Sequence, residues 1–368
     1  MVELGRSLLA LLVGVGTVLV AGCSSGEAAT PRPAEPGQDP QLKAPGTPVA
    51  YSKIFAPLPA RFADPGNPTS PAKVELGRML FHDPRLSVDG RMSCATCHDL
   101  ANYGVDNQRL SPTRDGKTTA RNTPTVYNSG AYSSQFWDGR APTLEAQAIG
   151  PILNPDEMGL PDAKAAERIL SGIPEYREAF ARAFPEDEQP IRLSNVGKAL
   201  AVFERELVSP SRFDRYLQGD MDALTAKERA GLDAFVLLGC ATCHNGPALG
   251  GTRFAVFGQM LAVDDLEDVG RGEVTGSPTD RGAFKVPSLR NVARTAPYFH
   301  DGRTAELREA VRVMAHHQLA RDLNDFEEGV LLAFLGSLTG ELPADVGPPP
   351  GIPVASARPG PTPEPPAP

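Results

Sequence analysis

Apolar residues recur at helical spacing in three stretches of the chain, each bracketed by start and stop signals. Ser70 followed by Pro71 reads as an N-cap and first-turn proline, after which Val74, Leu76, Leu80 and Phe81 supply the apolar positions. "TAKE", Thr225 to Glu228, is a capping box; Leu232, Phe235 and Val236 follow at helical spacing up to Gly239. Asn324 with Glu327 starts a third helix that runs through "VLLAFLGSL" and stops at Gly340, ahead of Pro343. Long segments rich in Gly, Pro, Asn and Asp separate these helices, and few stretches alternate as strands do. The pattern predicts an all-α fold with long loops.

The two ends lack that periodicity. Of 37 prolines, 22 fall in 31–71 and 343–368. Segment 23–50 is expected to be a flexible tether and 343–368 a disordered tail, because neither has enough large apolar side chains to offset the entropy of ordering. The first residues differ. Arg6 precedes an uncharged run from Leu8 to Val20, the length of a signal-peptide core and short for a membrane span. It ends in "LVAGC", which resembles a bacterial lipoprotein signal over 1–22 with Cys23 as the lipidated residue; the folded part is then exported. A net charge of −9 and the absence of a basic stripe argue against a nucleic-acid partner.

Cysteine spacing brings in the chemistry. Apart from Cys23, the cysteines form two "CATCH" motifs, Cys94 and Cys97 with His98, and Cys240 and Cys243 with His244. C-x-x-C-H is the attachment signature of a c-type haem: two thiols one helical turn apart add to the vinyl groups, and the adjacent histidine lies under the iron. A shared zinc site leaves the repeated histidine unexplained, and a thioredoxin-like pair lacks its βαβ surroundings. Two covalent haems are expected.

The halves also repeat. A shift of 163 residues lays "TPTVYNSGAYSSQFWDGRAPTLEAQ" on "VPSLRNVARTAPYFHDGRTAELREA" without a gap, pairing Pro124 with Pro287, Asn128 with Asn291 and Phe136 with Phe299. Two copies indicate two related domains rather than a solenoid. These are expected at 51–210 and 211–342.

In this order, "LGRMLFHDPRLSVDGRMSCATCH", "RNTPTVYNSGAYSSQFWDGR", "NPDEMG" and "FKVPSLRNVARTAPYFHDGRTAELREAVRVM" resemble the bacterial di-haem cytochrome c peroxidases over about residues 50 to 340. The same superfamily holds di-haem oxidases that modify a partner protein. The resemblance implies two tandem cytochrome c-like haem domains and reduction of hydrogen peroxide to water, with electrons from a small cytochrome c or copper protein. A partner-modifying oxidase and a plain di-haem electron carrier are the alternatives. It further implies a C-terminal electron-entry haem on His244 and Met314, with Met260 as the other candidate ligand, and an N-terminal peroxide-binding haem on His98. Glu157 then serves as the distal acid–base, Gln147 as a distal amide, and Trp137 as an electron relay between the haems. A calcium ion is implied at the Asn122 side chain and the Thr295 and Pro297 carbonyls, as are a periplasmic location and a possible homodimer.

One departure stands out. Many of these peroxidases carry a loop histidine that caps the first iron, whereas "DLANYGVDNQRLSPTRDGKTTARN" has none and places Arg114 or its neighbours there. The first haem is therefore expected to be open when fully oxidised, unless His82 or Tyr103 reaches it. His82, His316 and His317 read as surface or structural residues.

Overall fold

The computed structural model describes residues 51–355, and most of its ordered elements are helices. In chain order they are α1 (Pro71–His82), α2 (Cys94–Cys97), α3 (Leu144–Leu153), α4 (Ala163–Gly172), α5 (Pro174–Ala183), α6 (Leu193–Glu206), α7 (Arg212–Leu217) and α8 (Ala226–Leu237). After α8 come β1 (Phe254–Val256), α9 (Arg271–Thr275), β2 (Ala283–Lys285), α10 (Leu307–Leu319) and α11 (Asp325–Ser337). The three caps read from the sequence are formed. Ser70 Oγ accepts from the Lys73 amide, and Thr225 with Glu228 and Asn324 with Glu327 make reciprocal capping boxes. α11 stops three residues before Gly340. The short antiparallel pair β1–β2, with Ala255 opposite Phe284, lay below what alternation reveals, since three-residue strands carry almost no periodic signal. Among the described residues no helix is long and apolar enough to cross a membrane.

Two apolar clusters organise the chain. In the first, α1 lies along α6 and buries Leu76, Leu80 and Phe81 with Val196, Ala199, Leu200 and Phe203. In the second, α8 lies along α11 and buries Leu232 and Phe235 with Leu331, Phe334 and Leu335, alongside Phe213 of α7. Each fully buried Leu or Phe contributes about 1.5–3 kcal/mol relative to leaving it exposed. Both helix pairs close on a glycine. A Cβ on Gly77 would lie 2.1 Å from the Ala199 carbonyl, and one on Gly231 would lie 2.0 Å from that of Val330.

The ends of the described chain cross over. Tyr51 and Phe55 pack in the second cluster, whereas Leu342, Val346 and Ile352 pack against the first. Residues 343–355, expected as the start of a disordered tail, are fastened to α1. Arg78 Nη1 donates to the Asp345 carbonyl at 3.0 Å, and His82 Nε2 donates to that of Val346 at 2.8 Å. His82 is thus buried and structural, not at the surface.

The sequence repeat is also a backbone repeat. Asn128 and Asn291 share a left-handed φ (61° and 62°), as do Phe136 and Phe299 (67° and 68°). Gln135 bridges to Ala141 as Tyr298 does to Thr304, one repeat apart. The two asparagine side chains converge, each donating Nδ2–H to Ser209 Oγ, at 2.9 and 2.8 Å.

Candidate functional site

The first motif forms the one-turn helix α2, capped at Ser93 by a reciprocal pair with Thr96. One helical turn brings the side chains of Cys94 and Cys97 to the same side, and both are partly buried. His98 follows at the C-cap and points its Nδ1 at the Gly104 carbonyl, 3.1 Å away. A carbonyl only accepts, so Nδ1 holds the proton and Nε2 keeps its lone pair, the arrangement typical of a metal-ligating histidine. Burial lowers the imidazole pKa, which favours the neutral ring a metal needs.

The second motif repeats this chemistry. Cys240 opens a short 3-10 turn, and His244 Nδ1 donates to the Leu249 carbonyl at 3.0 Å. Burial again lowers the histidine pKa. Cys240, Cys243 and His244 border a cavity of about 650 Å³, walled mainly by apolar side chains including Phe235, Leu289 and Leu331. Met314, on α10, borders the same space. Met260 does not, and it is 59% exposed. Paired thiols, a neutral imidazole with a free Nε2, a thioether and an apolar cavity of small-molecule size suit a covalent haem with two axial ligands.

Glu157 sits in the turn after α3, where Asn154 Nδ2 donates to its Oε1 at 2.7 Å. Desolvation is the main cause that raises its pKa, opposed by the Asn154 hydrogen bond. The carboxyl lies within electrostatic range of Cys94. It caps no helix; Asp162 performs that task for α4. Met158 is buried in the first core. Gln147 stands on α3, upstream of Asn154.

The loop without histidine lies across this turn. Arg114 donates its amide to the Asp156 carbonyl at 3.0 Å, and its Nε and Nη2 reach the Pro155 carbonyl at 3.3 Å. Tyr103 is covered by the Arg294 guanidinium, 5.3 Å from the ring centroid. His316 bonds Asp322, and His317 bonds the Leu261 carbonyl.

Between the motifs, Asn122 is a hub. Its carbonyl accepts the Trp137 indole N–H at 2.9 Å, and its amide donates to the His300 carbonyl at 2.7 Å. Trp137 and His300, one repeat apart, meet edge to face at 6.4 Å. Asn122 Nδ2 is spent on the Gln108 and Arg109 carbonyls, which leaves Oδ1 as the acceptor of that side chain. Asn122, Thr295 and Pro297 all border the cavity, as does Trp137. An amide oxygen and backbone carbonyls are ligand types that a hard cation such as calcium takes.

Sequence reasoning passed over Lys285 and Glu204. Lys285 is buried on β2 at the cavity wall, and its amide donates to the Trp137 carbonyl at 2.7 Å, the repeat mate of the Asn122–His300 bond. The same shift of 163 pairs Lys285 with Asn122, a signal available in the sequence. Glu204, buried on α6 near Cys94, has its carboxyl pushed up to about 8 by desolvation; no local pattern distinguishes it from a surface glutamate.

Comparison with known proteins gives a consistent result. Residues 71–222 match the family model of the di-haem cytochrome c peroxidases. The chain is 44% identical over 311 residues to cytochrome c551 peroxidase of Nitrosomonas europaea, covering 80% of this chain and 92% of that one. It is 36% identical over 290 residues to the methylamine utilization protein MauG of Methylophilus methylotrophus, covering 74% and 84%. Among solved structures, a MauG-like protein associated with microbial copper homeostasis superposes with a TM-score of 0.70 at 33% identity, over 77% of this chain and 94% of that one.

Proposed function

The chain belongs to the di-haem cytochrome c peroxidase family, and from that premise we propose that it is a peroxidase that reduces hydrogen peroxide to two waters. Two electrons arrive one at a time from a small cytochrome c or copper protein, with two protons from solvent. The observation that carries this reading is the single cavity on which Cys240, Cys243, His244, Met314 and Trp137 all open. The thiols, the two candidate axial ligands and the proposed relay aromatic all border that space.

The chain is read as two tandem haem domains, 51–210 and 211–342, with the crossed ends described above. Cys94, Cys97 and His98 hold the first haem; Cys240, Cys243, His244 and Met314 hold the second. The first haem would supply an iron that binds and reduces peroxide, and the second would supply an iron for electron entry, its potential raised by the Met314 thioether. Glu157 takes the proton from one peroxide oxygen and delivers it to the other, a role that suits a carboxyl with a raised pKa within electrostatic range of Cys94. Gln147 orients the peroxide. Trp137, held by Asn122, lies on the electron path. Asn122, Thr295 and Pro297 bind calcium.

Export, lipidation at Cys23, a periplasmic location and a homodimer complete the proposal; Cys23 lies outside the described residues. Arg114, engaged with the Pro155 carbonyl, supports a first haem that is open in the oxidised protein.

Rapid mixing of the oxidised, calcium-loaded protein with hydrogen peroxide and a reduced small cytochrome c tests this. Immediate donor oxidation is expected. Turnover only after pre-reduction would overturn the open-haem reading, and no turnover with any donor would favour action on a partner protein.

A further inference from the structure

The cavity wall carries a charge that the peroxidase chemistry above does not use. Lys285 is 7% exposed, yet among the described residues no carboxylate lies within ion-pair distance of its Nζ. The ammonium rests instead on the face of Tyr132, 4.2 Å from the ring centroid. The acid that most influences it is Asp138, but that carboxylate is already shared between Arg121 and Arg140. Burial accordingly pulls the lysine pKa down to about 7. The other Lys or Arg of the cavity wall, Arg253, is exposed and donates to the Thr242 carbonyl.

A buried ammonium without a counter-ion is unfavourable, and proteins normally pair it or neutralise it. Its placement is not accidental slack in the fold. β2 holds Lys285 opposite Phe254, and its amide is tied to the Trp137 carbonyl, so its backbone is fixed from two sides. A haem carries two carboxylates, on the propionates, and a cavity that encloses it must provide for them. We propose that Lys285 is the buried counter-ion for a propionate of the haem attached at Cys240 and Cys243. The inference rests on the reading of that motif as a haem site. The pair would satisfy both charges in a low-dielectric wall, where their attraction is strong. It also connects the haem edge to the backbone of Trp137 through one residue, making Lys285 a positioning residue for the relay.

The test reads the second haem's potential rather than turnover. Haem content of purified wild type, Lys285→Gln and Lys285→Arg is measured first; a wild type without haem at Cys240 and Cys243 sinks the functional reading itself. With both haems present, the wild-type midpoint potential of the methionine-ligated haem is expected to stay flat from mildly acid to mildly alkaline pH, because the paired propionate remains ionised. In Lys285→Gln the potential should match wild type at acid pH, where the propionate is protonated, and fall below it as the pH rises. Lys285→Arg should restore the flat profile. Parallel curves in wild type and Lys285→Gln overturn the assignment. Should the glutamine variant fail to load haem, redox-difference infrared of wild type with carbon-13-labelled propionates decides. An ionised carboxylate band at neutral pH supports the pair, and a protonated carboxyl that titrates like an isolated buried acid overturns it.

Discussion

At the scale of single residues, Glu157 and Met314 carry the sharpest consequences. Removing the Glu157 carboxylate while keeping its shape, as Glu157→Gln, should lower peroxide turnover roughly 100- to 10,000-fold, the usual worth of a positioned acid–base, with both haems retained. The sign of the pH effect follows from the raised pKa. A group that must begin as a carboxylate loses activity as the pH drops through its folded pKa, so the acid limb of kcat/KM should lie above the ordinary glutamate range and vanish in the variant. A limb that persists in Glu157→Gln assigns it to another group. For Met314→Ala, loss of the thioether should lower the midpoint potential of the second haem and produce a high-spin signal from it. An unchanged low-spin spectrum would mean that another side chain, not Met314, completes that iron. Both residues were named through the family resemblance; taken alone, each would read as an ordinary loop carboxylate or core methionine. Lys285 was not named, because only the pairing of β1 with β2 shows that its ammonium is enclosed.

At the scale of elements, helices with caps could be read directly, since a cap is a local signal: Ser70, Thr225 and Asn324 each begin the helix they predict. What could not be read was the partner of each element. The strap 343–355 looks like a tail by composition, yet its Val346 and Ile352 pack against the first core and its carbonyls take the Arg78 and His82 protons. Truncation after Leu342 should therefore destabilise the first core by about 2–4 kcal/mol, the sum of two hydrogen bonds and partial apolar burial, seen as a lower midpoint in urea. An unchanged midpoint would show that the strap does not hold α1. Helix α6 carries a second, opposite consequence. Desolvation lifts the Glu204 carboxyl to about 8 in the folded state, while an unfolded glutamate titrates near the ordinary value. The folded form thus holds a proton that the unfolded form releases, so the favourable contribution is complete below the unfolded pKa and fades as the pH rises through about 8. Glu204→Gln should raise stability by a few kcal/mol at alkaline pH and change little in acid. Equal effects at both ends would show that the acid is not neutral in the folded protein.

At the scale of the whole molecule, the internal repeat does more than duplicate a motif. It brings two copies of one loop face to face, so that Asn122 holds the His300 backbone while Lys285, its repeat mate, holds that of Trp137. The sequence revealed the duplication; the reciprocal bonds depend on long-range closure that no local pattern encodes. Asn122 then concentrates the coupling, with its carbonyl on the Trp137 indole, its amide on His300 and its Nδ2 on the 108–109 backbone. Only Oδ1 is left for the proposed calcium, which would also take the carbonyls of Thr295 and Pro297. Stripping the proposed ion should loosen the loop that carries Asn122, and with it the hydrogen bond from Trp137 to the Asn122 carbonyl, and slow electron transfer between the haems without releasing either covalently held haem. Since Trp137 is the only tryptophan, its fluorescence reports the change directly. Stopped-flow reduction of the second haem, followed by oxidation through the first, should show a slower interhaem phase after chelation and recovery on adding calcium back. Asn122→Ala should show the slow phase in either condition. If metal analysis confirms complete removal and both the rate and the fluorescence stay the same, Asn122 holds Trp137 without a cation, and calcium has no part in joining the two halves.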